Sequence, residues 1–121
     1  MAVFKLIEGL TYAGLAGENL VGKLNYLVNV NSDGEIVLGS DNGVVIGSLF
    51  EEGPAGAAVS VQLGGIAKVV CAGSITAGTR VACGTGGKVK TTSGTNPCGI
   101  ALRDGSANKV IPILLGVGGA S

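Results

Sequence analysis

Three stretches of this chain carry residue types at spacings that chemistry could use. GTGGKVKTT at 84–92 has the glycines and lysine of a phosphate-binding loop. That motif needs GK followed by Ser or Thr, leading into a helix. Here Val89 follows Lys88 and β-type alternation continues, so the stretch reads as a turn with a lysine just beyond it. NVNSDGEIVLGS at 29–40 imitates a calcium loop through Asn29, Asn31, Asp33 and Gly34. Its twelfth position is Ser40, where a bidentate Glu is required, and no flanking helices are in sight. Cys71, Cys83 and Cys98 have neither a CxxC pair nor a histidine beside them, which leaves a zinc site without its usual ligands. Cysteine also packs as a small apolar group, so the expectation is three reduced, buried thiols, in keeping with synthesis in a cytoplasm.

Catalysis fares no better. Histidine is absent, which removes the commonest general base and the usual activator of Ser or Cys. The carboxylates of Asp33, Asp41, Glu51, Glu52 and Asp104 fall in turns, where they are usually solvated or cap backbone amides. Lys68 is mid-strand, and Lys88 lacks the neighbours of a swinging-arm lysine. GVGGAS near the C-terminus has no following helix for a dinucleotide. The expectation is a non-enzyme with no catalytic residue, no cofactor and no metal.

The elements around these residues are short strands. AVSVQLGGIAKVVC at 58–71 is two alternating runs joined by Gly64-Gly65, which predicts a hairpin with a tight turn. LNYLVNV and EIVLG flank a turn at Asn31–Gly34. Further strands are expected in GVVIGSLF, RVACG, GGKVKTT, CGIALR and KVIPILLG. No amphipathic helix is evident. VIPILL at 110–115 is apolar at nearly every position, so both faces should be covered, with Pro112 suiting an edge or bulge. Strands every eight to twelve residues mean a compact all-β single domain, a barrel or a sandwich, with tight Gly-rich turns. A weak echo links Gly47–Gly53 to Gly99–Gly105, and Val59, Val61 and Leu63 to Ile111, Ile113 and Leu115, 52 positions on. It predicts two similar β units folded against each other. Residues 1–20 differ, with apolar residues scattered and no hairpin partner close by. They are expected to form an extended N-terminal arm on a domain of residues 21–121.

With 121 residues, eight basic and eight acidic, the chain has no positive footprint for nucleic acid or an anionic membrane. Two Phe and two Tyr make no base-stacking platform. No apolar run approaches the ~20 residues of a membrane helix. The N-terminus carries Glu8 and makes a poor signal peptide. Hydrophobic residues are 46% and charged ones only 13%. A chain so poor in charge must hide apolar surface somewhere, and self-association or an assembly is the natural place.

GGIAKVVCAGSITAGTRVACGTGGKVKTTSG, followed by NPCGIALRDGSANKVIPILL, resembles the small capsid decoration (head cement) proteins of tailed bacteriophages. In these a strand ending in GIAKVV leads through G-x-I-T-A-G to another strand. DGK or GGK, x-G-I-A-L and a terminal V-x-V-x-L follow. Gly86-Gly87 stands here where the family often has Asp-Gly. The likeness runs from about Gly22 to Leu115 and leaves the first 20 residues unmatched. It implies a virion protein on the outer surface of an expanded head, bridging major capsid protein subunits, typically as a homotrimer. Val3, Phe4, Leu6, Ile7 and Tyr12 of the arm are then expected to contact the capsid or a neighbouring subunit by adding a strand to a sheet edge. Two alternatives stay open: another virion module, tail- or fibre-associated, and a small-ligand or carrier β-barrel.

Overall fold

A computed structural model of the chain describes residues 11–92 and 96–115. Alternating β-branched runs cut by Gly and Asn turns form ten strands: β1 (Thr11–Leu15), β2 (Leu27–Val30), β3 (Ile36–Leu38), β4 (Gly47–Glu51), β5 (Ala58–Gln62), β6 (Gly65–Val70), β7 (Arg80–Cys83), β8 (Val89–Thr91), β9 (Pro97–Ala101) and β10 (Val110–Leu115). They make two five-stranded antiparallel sheets, ordered β1-β5-β4-β2-β3 and β6-β10-β9-β7-β8. Each sheet curls until its edges meet. Ala16, just past β1, bridges in parallel to Ile36, and Cys71, just past β6, bridges in the same way to Val89. Two small barrel-like rolls result, each around its own apolar cluster. Val28, Ile36, Leu49, Val59 and Val61 fill the first, and Val69, Val81, Val89, Ile111 and Ile113 the second.

The echo in the sequence is a repeat of the whole unit. Adding five to each strand number converts the first sheet order into the second. The registers repeat as well: Val28 pairs with Leu38 and Val81 with Thr91, while Leu49 pairs with Val61 and Ala101 with Ile113. Turns coincide too. The amide of Gly34 donates to the Asn31 carbonyl, as Gly87 does to Gly84, and both glycines have positive φ, which L side chains avoid.

Local hairpin logic fails at one junction. Gly64-Gly65 does not close a hairpin, because β5 already has β1 and β4 on its two sides and offers no free edge to β6. The chain crosses there from one sheet to the other. The Gln62 side-chain amide braces the corner by donating to the carbonyls of Gly64 and Ile66, each at 2.9 Å. Pro112 lies in the interior strand β10, not at an edge. Its carbonyl accepts from Leu102, so its missing N–H also faces β9, beyond the last paired residue, Ala101, and no ladder bond is lost. One face of β10 is buried through Ile111, Ile113 and Leu115, while Val110 on the other is exposed.

Residues 11–20 of the expected arm are part of the first unit. Thr11–Leu15 pair along all of β5, and Ala16 and Leu20 are fully buried in the first cluster. An unpartnered strand beside an apolar core gains more from joining its own sheet than from standing free. The rest of the expected arm, with Val3, Phe4, Leu6 and Ile7, lies outside the described residues.

The rolls meet asymmetrically. Leu27 and Val28 are consecutive and both buried: Val28 faces its own cluster, and Leu27 enters the cluster of the second roll with Val45 packed beside it. Backbone bonds join Val70 N to Asn25 O and Asn42 N to Cys83 O. Lys90 pairs with Asp41 at 2.7 Å. Ser48, the one buried polar side chain among the described residues, donates its hydroxyl to the Lys68 carbonyl at 2.8 Å.

Candidate interaction surface

The turn chemistry singled out in the sequence is absorbed by the fold. Asn31 Oδ1 accepts from the amides of Asp33 and Glu35, an Asx-type turn in place of a cation loop. Residues Thr85–Gly87 form a short 3-10 turn leading into β8. Glu52 accepts from the Gly22 amide at 2.6 Å and Asp104 from the Ala77 amide at 2.8 Å, the same latch in each half. Glu18 reaches the Leu38 amide and Glu51 the Ser60 hydroxyl. No cluster of three or more His, Cys, Asp or Glu that could hold a metal is present among the described residues.

The three thiols are free and buried. Burial pushes Cys83 up to about 11, against a smaller opposing hydrogen bond from the Gly87 amide. Cys98 is pushed to about 12, first by burial and then by the neighbouring Cys83. Thiols held neutral in this way are poor nucleophiles and poor metal ligands.

The surface also carries exposed large apolar side chains. At the seam between the sheets, Leu24, Phe50 and Ile66 rim a groove of about 350 Å³ floored by Asn25, Ser48, Leu49 and Gln62, with Lys68 at its side. Phe50 is 60% exposed and Ile66 64%. Phe50 points outward next to the buried Leu49 and stands at a β-bulge: Leu49 pairs with Val61 and Glu51 with Ser60, which leaves Phe50 the extra residue. The edge strand β6 presents Ile66 and Lys68 beside it. Two of the floor's polar groups are engaged by the fold, Ser48 on Lys68 and Gln62 on the crossover, while Asn25 and Lys68 add polar groups to the lining of the groove. It is suited to an apolar side chain from a protein partner.

Among the expected contact residues, Tyr12 sits on β1 opposite Val61, partly exposed, with its ring against Gly14. Val3, Phe4, Leu6 and Ile7 lie outside the described residues. Leu24, Phe50 and Ile66 were not singled out by sequence reasoning. The available signal was Leu49-Phe50, two bulky residues in a row where alternation called for one. Reading it as a bulge needs the partner strand.

No protein-family profile matches this chain, and no curated protein matches it. A solved structure does. The N base of the head fibre protein gp8.5 of bacteriophage phi29 superposes with a TM-score of 0.73, over 87% of this chain and 92% of that one, at 16% sequence identity. At that identity the likeness concerns the fold: the paired β units described above are a fold that a phage structural protein also uses.

Proposed function

We propose that this chain is a structural protein of a phage virion that decorates the head, binding the outer capsid surface and bridging major capsid protein subunits, as a homotrimer. The observation that carries the reading is the near end-to-end match in fold to the base of a phage head fibre. The decoration motifs between Gly22 and Leu115 and the exposed groove of Leu24, Phe50 and Ile66 point the same way. Neutral charge, absence of histidine and neutral buried thiols accord with a binding protein, not an enzyme. Many individually weak contacts across capsid seams stabilise a shell by mass action and avidity.

Mixing the protein with undecorated, expanded capsids tests this: co-sedimentation in many copies per head, with a raised capsid melting temperature, is the expected result. Phe50→Ala should fold as the wild type, being exposed, yet bind capsids at least tenfold more weakly. No binding to capsids would overturn the proposal. A second reading is favoured by the same structural match: the chain is the base of a head-attached fibre. It predicts capsid binding at a few sites with no gain in capsid stability.

A further inference from the structure

The repeat shows what covers one face of the first sheet, and no described residues cover the corresponding face of the second in the same way. Within the chain, Asn25, Leu27, Val45 and Ser48 of the first unit receive Lys68, Val70, Cys83 and Gly87 of the second. The registers map the receiving set onto Gly78, Arg80, Pro97 and Ile100. Among the described residues, none of these four has a corresponding unit against it. The docking set maps onto Ala13, Leu15, Val30 and Gly34 of the first unit, with Val37 in place of Lys90. That surface is largely apolar: Leu15 is 54% exposed, Ala13 is exposed, and Val30 and Val37 are partly exposed, Val30 resting on the first cluster.

We propose that a second copy of the chain docks its Ala13–Leu15–Val30–Val37 surface on the Arg80–Pro97–Ile100 face, repeating between chains the contact that joins the two units within one. Charge supports the match. In the internal contact Gly87 packs on the backbone of Leu27; in the external one Gly34 meets Arg80, and the residues flanking Gly34 are Asp33 and Glu35. Arg80 thus stands opposite two carboxylates, where Leu27 enters an apolar cluster. The contact is heterologous, so it closes into a ring or runs on as a filament according to the rotation it imposes.

Sedimentation velocity over a concentration series tests it without any capsid, so its failure tells against self-association, the homotrimer included, and leaves capsid binding to the co-sedimentation test. The wild type should assemble, while Leu15→Glu and Ile100→Glu should each be monomeric with unchanged circular dichroism. Mixed in equal amounts, these two variants should form a 1:1 complex and stop, because each keeps one intact face. Should either variant misfold, Arg80→Glu and the double change Asp33→Lys with Glu35→Lys replace the pair. Each should weaken association at least tenfold, and all three changes together in one chain should restore it. A wild type monomeric at every concentration, variants that assemble like it, or no complex on mixing would each overturn the proposal.

Discussion

Gly47 and Gly99 occupy the same place in the two units, and a Cβ at either would overlap a carbonyl oxygen of the neighbouring strand, that of Gln62 or Leu114. The obstacle is backbone on both sides, so no rotamer change relieves it. Gly47→Ala or Gly99→Ala should therefore cost about 2–4 kcal/mol, measurable as a lower denaturation midpoint with an unchanged slope. The thiols make the other residue-level prediction. Because the folded values of Cys83 and Cys98 stand above the ordinary 9.0, the folded state holds their protons more tightly than the unfolded state does. The stability this gives is fully present below pH 9 and is lost as pH rises through about 11 to 12. Denaturation between pH 8 and 11 should show a decline that shrinks when both cysteines are replaced by Ala. At pH 8 a thiol reagent should label them only on unfolding.

At the level of elements, the crossover after β5 is the unusual piece. A Gly-Gly step between alternating runs ordinarily returns the chain beside itself, yet here it passes the chain to a new sheet. The Gln62 amide ties the corner through two carbonyls that would otherwise lack partners. Gln62→Ala should cost about 1–2 kcal/mol, and hydrogen exchange should be faster at Gly64–Ile66 than elsewhere. The bulge in β4 is a second such piece. Alternation from the buried Leu49 aims Phe50 outward, and the bulge turns Glu51, which alternation would aim inward, to the same side.

Across the whole molecule, two rolls with separate cores could unfold independently, but Leu27 ties them together. Its side chain belongs to the first unit by sequence and to the second by packing. Leu27→Ala should cost about 2–5 kcal/mol, and the loss should register in the second unit's amides, those of Val69, Val81 and Ile113, more than in Val59 and Val61. Loss confined to the first unit would contradict that assignment. The exposed Lys90–Asp41 pair across the same junction contributes little, under about 1 kcal/mol.

Alternation with period two and Gly and Asn at the turns determined the all-β class and most strand positions, because each depends on neighbours within a few residues. The hairpins β2–β3 and β7–β8 and the repeat itself were legible for that reason. Tertiary structure decided what depends on distant partners. Whether Gly64-Gly65 closes a hairpin turned on β5 having both edges occupied, and whether residues 11–20 stand free turned on β5 having room for β1. The direction of Glu51, outward beside Phe50, turned on a register counted along another strand. Leu27 differs from Val28 only in which core it reaches, and no local pattern distinguishes two buried faces of one strand. The groove at the seam is likewise a product of how two units meet, a relation that no stretch of sequence contains.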